Sequence, residues 1–178
     1  MKSEIETAFV TESKIRFENS FKLLFHCLEQ LDEQQLWWRP NDKMNSTAIL
    51  VKHVCGNMRQ WTITQINNSE ERRNRPAEFL NDHGKTKAEL IALAQTLQTD
   101  FTNALDNFDT SRLLEPRRIQ GSDVTILGAM FHALTHLDGH VGQIALLTRM
   151  QLGDNYKIFW APKTEEQRAE WKEKAPAS

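Results

Sequence analysis

Apolar residues recur at three- and four-residue spacing along most of this chain, and few residues interrupt them. Only 7 Gly and 5 Pro occur in 178 residues, too few turn formers for a sandwich or barrel of short strands. The chain therefore reads as all-α. The first helix is expected over about Ile5 to Leu31, with an apolar face of Phe17, Phe21, Leu24, Phe25, Leu28 and Leu31. Pro40 and the polar residues after Trp37-Trp38-Arg39 mark a crossover loop. Ser46 is a suitable N-cap for a second helix carrying Leu50, His53, Val54, Asn57, Met58 and Trp61, which frays near Asn67-Asn68. Glu70 to Gly84 reads as a long irregular connection. Thr86-Lys87-Ala88-Glu89 matches a capping box that opens a third helix, with Leu90, Leu93, Ala94, Leu97, Phe101, Leu105 and Phe108 on its buried stripe. Arg112 to Ser122, holding Pro116 and Gly121, reads as loop with short extended pieces. The fourth helix is expected from about Asp123 to Leu152, stopped by Gly153. Four long helices with two long connections predict a four-helix bundle with a long crossover between helices one and two.

Composition bounds the rest. The chain is long enough for a single domain, 1–178, with a full core, and shows no internal repeat or low-complexity segment. A formal net charge of -2 supplies no field that would draw it onto nucleic acid or an anionic membrane. Met1-Lys2-Ser3-Glu4-Ile5-Glu6 lacks the apolar core of a signal peptide, and no run approaches a membrane span, so a cytoplasmic protein is expected. Cys27 and Cys55 are then expected to stay reduced as small apolar residues.

The chemistry lies in the histidines. His136 and His140 are four residues apart, about one helical turn, so their imidazoles share a face. His53 on another helix can supply a third nitrogen. Three protein ligands leave a coordination position for water or substrate, the pattern of a catalytic rather than a scaffolding ion. His132 precedes His136 by four residues, but a row of three rings on one helix does not converge on one ion. It is read as supporting the ligands or packed beside them. His26, between Lys22 and Glu29, reads as solvated, and His83 before Gly84 as part of a turn. Cys55 points to nearly the opposite side of its helix from His53.

The fourth helix is apolar on several sides. Leu127, Met130, Phe131, Leu134, Val141 and Ala145 are expected to form one packed side. Gly128, Thr135, Gly139 and Gly142 form a side of small residues that lets another backbone approach, either within the bundle or in a homodimer.

Trp37-Trp38-Arg39-Pro40-Asn41, Asn45-Ser46 and His53-Val54-Cys55-Gly56-Asn57-Met58-Arg59-Gln60-Trp61 resemble the second-helix region of the DinB-like superfamily. His136-Leu137-Asp138-Gly139-His140-Val141-Gly142-Gln143-Ile144 resembles its fourth-helix motif, His-x-x-x-His-x-Gly-Gln. The order of elements matches along nearly the whole chain, and the Gly-Asn-Met-Arg-Gln-Trp run places it nearest an uncharacterised branch. The resemblance implies a four-helix bundle whose metal triad is His53, His136 and His140, holding zinc or nickel. It implies activity of the kind found among its members: transferases that use bacillithiol, mycothiol or glutathione, thiol-dependent isomerases, and metal-dependent hydrolases. It also implies a homodimer.

Neutral imidazoles suit Zn, Ni, Fe or Cu, so ligand type alone does not choose the ion. A bound divalent ion lowers the pKa of a coordinated thiol or water. The expected activity is therefore transfer of a low-molecular-weight thiol to a small electrophile. A hydrolase and a non-catalytic metal-binding or interaction bundle are the alternatives. Asn57, Arg59, His132 and Gln143 are the residues expected to support the ligands or touch substrate. Arg72, Arg73 and Arg75 read as a solvated patch that can also meet an anionic substrate. Trp37, Trp38 and Trp61 read as core or pocket lining. A di-iron carboxylate site is disfavoured because no Glu-x-x-His unit occurs.

Overall fold

The computed structural model describes residues 4–81, 83–161 and 163–174. Residues 1–3, which open the N-terminal segment considered above, lie outside them. The elements are α1 (Glu4–Gln30), α2 (Glu33–Trp37), α3 (Thr47–Met58), α4 (Thr64–Asn67), α5 (Arg75–Glu78), α6 (Lys87–Asp106), a hairpin of β1 (Pro116–Ile119) and β2 (Ser122–Thr125), α7 (Ile126–Leu152) and α8 (Glu165–Lys174).

Local signals set the helix ends. Ser46 Oγ accepts the backbone N–H of Ile49 at 3.3 Å and starts α3. Thr86 and Glu89 form the reciprocal capping box of α6, and Asp32 with Gln35 forms a second one on α2, a short helix between α1 and the crossover loop. Asn68 ends α4 in the left-handed conformation with φ 50, and Gly153 ends α7 at positive φ with its N–H donating to the Arg149 carbonyl. The fourth helix starts at Ile126 rather than Asp123, because Arg118 pairs with Asp123, and Pro116 with Thr125, across an antiparallel hairpin. Thr125 then caps α7 by accepting from Gly128 N–H at 3.1 Å.

Four long elements make the bundle: α1, α6, α7 and the rod that begins with α3. α1 packs against α6 and α7, and α3 packs against the same two, so α1 and α3 sit at opposite corners. The chain between them crosses the bundle, as a crossover connection requires. The core is continuous: Phe17, Phe21, Leu24 and Leu28 of α1, Leu90, Ala94, Leu97 and Phe101 of α6, Ile49, Leu50 and Val54 of α3, and Ile126, Ala129, Met130, Ala133 and Leu137 of α7. Phe17 and Phe101 stack face to face with centroids 3.5 Å apart. Each of the larger side chains stabilises the fold by roughly 1.5–3 kcal/mol relative to exposure. Ser20 of α1 donates to Asp138 of α7, so the aspartate between the two histidines of the motif ties helices together.

Two features depart from simple helical reading. The rod widens into one π-helical turn at Arg59–Ile63 before α4, and the side-chain amide of Gln65 donates to the carbonyl of Gln60 inside it at 2.8 Å. On α7 the packed side is Ile126, Ala129, Met130, Ala133, Leu137, Val141, Ile144 and Ala145. Phe131 is 60 % exposed, and Leu127 and Leu134 are only partly buried. α1, α3, the π turn and β2 all pack against α7, with Ala129 and Ala133 fully buried among them and Phe131 left facing outward.

Candidate metal centre

His53 comes from the buried side of α3, about two turns after the Ser46 cap, and His136 and His140 from consecutive turns of α7. Packing α3 against α7 brings one ring nitrogen from each of the three within 4.8 Å of the others. His53 Nε2 lies 2.9 Å from His136 Nε2. The rings meet edge to face, His53 with His140 at 89° and His136 with His140 at 80°. Among the described residues the cluster gathers three such groups and no fourth His, Cys, Asp or Glu.

Hydrogen bonds decide which nitrogens face inward. Nδ1 of His140 donates to Gln143 Oε1 at 3.0 Å, which leaves Nε2 for a ligand. Nδ1 of His53 donates to Glu78 Oε2 at 3.0 Å. Burial lowers the pKa of His53, partly offset by the Glu78 hydrogen bond. Burial first, then the neighbouring imidazoles, takes His136 down to about 4. His53 and His136 therefore present neutral imidazoles near pH 7, the form that binds a metal. Two nitrogens bound tetrahedrally at about 2.0–2.1 Å stand roughly 3.3 Å apart, so the observed cluster fits one ion after a small side-chain adjustment.

The other sequence-predicted residues divide. His132 lies against Trp61, with ring centroids 3.9 Å apart, and 5.6 Å from the His136 ring, outside the cluster. Asn57 is 4 % exposed, with a side-chain oxygen that lacks a hydrogen-bond partner. Arg59 turns to α6 and pairs with Asp100 at 2.5 Å. It lines a cavity of about 490 Å³, together with Cys55, Arg73, Glu78, Leu93 and Leu97, whose walls include none of the three histidines.

The arginine segment is not one solvated patch. Arg72 pairs with Glu70 in the open, and Arg75 sits over the Phe79 ring. Arg73 is buried, its side chain 5 % exposed, and grips both oxygens of Glu78 at 2.6 and 2.7 Å. The reason is α5, which folds this connection back onto α3. His26 is likewise not solvated: its Nε2 lies 2.6 Å from the Lys157 carbonyl, and its ring touches Tyr156 and Phe159 of the returning tail. His83 takes φ 53, as a turn residue does, and stacks on Trp37. Trp37 and Trp61 are buried, and Trp38 is 39 % exposed.

Glu78 is the residue that sequence reasoning missed. Its signal was faint: an acid inside an arginine-rich connection, and Gly56 in mid-helix three residues after His53, a position where a glycine admits a close neighbour.

No curated protein matches the chain. The family described as "Protein of unknown function (DUF1572)" matches residues 4–165, nearly the full length. The chain belongs to the DUF1572 family.

Proposed function

We propose that this protein is a metal-dependent thiol transferase. The observation that carries the reading is the convergence of His53, His136 and His140 within 4.8 Å, with no fourth ligand among the described residues. His53, His136 and His140 would hold a zinc or nickel ion, which would supply the Lewis acidity that makes a thiol more acidic. The thiol would release its proton to solvent, its sulfur would form a bond to an electrophilic carbon, and the leaving group would depart with the electron pair of the bond that breaks. The chain itself supplies neutral imidazoles and fixes their orientation through Glu78 and Gln143.

Thiol chemistry suits this site better than hydrolysis. A thiol starts at about 8.5 and needs a small downward shift to ionise near pH 7, whereas water starts far higher and needs a much larger one. Glu78, the carboxylate that touches the triad, is already held by His53 and Arg73, so it is not free to take a proton from water. The resemblance to the DinB-like superfamily supports the same activity and a cytoplasmic homodimer. The exposed side of α7 is the proposed contact, with Phe131, Leu146 and Met150 outward and open space at Gly139 and Gly142.

The test is metal content of untagged protein, wild type beside His140→Ala, followed by thiol consumption assays with small electrophiles. About one ion per chain, lost in the variant, together with thiol transfer, is the expected result. Metal with hydrolysis alone establishes the hydrolase alternative. No metal after reconstitution makes the bundle an interaction module.

A further inference from the structure

Glu78 comes from α5 in a connection that packs on α3, 25 residues beyond His53, yet it is 8 % exposed and holds that ring. A buried carboxylate is costly unless each oxygen is satisfied. Here Arg73 donates to both oxygens in a bidentate fork, and His53 Nδ1 adds a third bond to Oε2 at 3.0 Å. Arg73 is itself held, since its remaining nitrogen donates to Gln60 Oε1 at 2.9 Å. Gln120, at the hairpin turn, donates to the same oxygen at 2.6 Å. A chain of side chains therefore runs from the hairpin to the back of the His53 ring.

The protonation of that ring follows from its neighbours. Arg73 also approaches His53 Nδ1, at 3.3 Å. A bare Nδ1 would accept from Arg73 but face a carboxylate oxygen at 3.0 Å with no proton between them. The carboxylate is nearer and can only accept, so the proton sits on Nδ1 and the lone pair on Nε2, aimed at His136. Gly56 makes the approach possible. A Cβ at that position would collide with Glu78 Oε1 and lie 2.8 Å from its Cδ and 3.1 Å from Arg73 Nε. The carboxylate is the movable partner, so a methyl group there drives it off His53.

We propose that Glu78 is a positioning residue that holds His53 with Nδ1 protonated and Nε2 bare, that Arg73 fixes Glu78, and that Gly56 is glycine to admit it. This rests on the reading of His53, His136 and His140 as a metal centre. A carboxylate behind a ligating histidine sets its tautomer and raises its basicity, and losing it costs about 10–100-fold in metal affinity.

The experiment uses nitrogen-15 histidine NMR on the metal-free full chain, paired with zinc and nickel titrations, for wild type, Glu78→Gln, Gly56→Ala and the double variant. Glu78→Gln keeps the length and one acceptor for Arg73, and Gly56→Ala changes no polar group. Wild type is expected to show His53 protonated at Nδ1. Both single variants are expected to lose that signature and to bind about one ion per chain about 10–100-fold more weakly. The double variant is expected to be no weaker than the worse single one, because both act on one contact. A wild-type His53 protonated at Nε2, or a Glu78→Gln protein with unchanged tautomer and affinity, overturns the proposal. A wild type that takes up no metal overturns the metal reading instead, and the tautomer measurement still decides the role of Glu78.

Discussion

The imidazole of His132 lies against the indole of Trp61, with ring centroids 3.9 Å apart and planes 33° apart. That contact crosses from α7 to the π turn after α3, and His132 stands outside the group of three converging nitrogens. His132→Ala is therefore expected to retain about one ion per chain. His53→Ala, His136→Ala and His140→Ala are each expected to lose it. Metal analysis after dialysis checks this, and metal lost from His132→Ala would place that ring in the ligand set.

Buried neutral histidines make the metal-free fold sensitive to acid. His53, His132 and His136 are all depressed by burial, His136 to about 4, whereas the unfolded chain titrates near the ordinary 6.5. Below the unfolded value the unfolded chain takes up protons that the folded one does not. Stability is therefore expected to be complete above about pH 6.5 and to fall progressively toward pH 4. Urea midpoints of the metal-free protein at intervals between pH 7 and pH 4 check the slope. A flat profile would show that these rings are not held neutral by the fold.

Phe101 joins α6 to α1 by stacking on Phe17, and both rings are at most 2 % exposed. Phe101→Ala removes that stack and leaves a cavity. It is expected to cost about 3–5 kcal/mol, read as a lower midpoint at unchanged m-value. A loss below about 1 kcal/mol would mean that the neighbouring helices collapse into the space.

Gly139 sits mid-helix on the exposed side of α7 with nothing within 4 Å of an added Cβ. In an isolated chain Gly139→Ala would stabilise the helix by roughly 0.5–1 kcal/mol. In the proposed homodimer the same methyl keeps a second backbone away. Gly139→Ala and Leu146→Asp are expected to shift the protein toward monomer in sedimentation, with helical content unchanged. Unchanged association in both would remove this side of α7 from any dimer contact.

The bundle was legible in the sequence because helix periodicity and capping are local. The Thr86 box, the Ser46 cap and the Gly153 stop each act within one turn of their own residue, so their chemistry reads directly from neighbours in the chain. The facing of His136 and His140 was legible for the same reason, since four residues fix two side chains on one side of a helix. The outward turn of Phe131 was not, because helix spacing defines several apolar sides and only the positions of the elements packed against α7 select which are covered. Nor was the His26 contact, which needs the tail to return to α1 across 131 residues.

The sequence by itself determined the four long helices, the Ser46, Thr86 and Gly153 signals at their ends and the pair of imidazoles on α7, since these depend on bonds and contacts a few residues apart. Only the tertiary structure decided that α5 folds back on α3, and with it that Arg73 is buried and that Glu78 stands behind His53. An ion-paired carboxylate is stable inside a protein only where several donors from distant segments meet it. That meeting is a property of packing, which no spacing along the chain records.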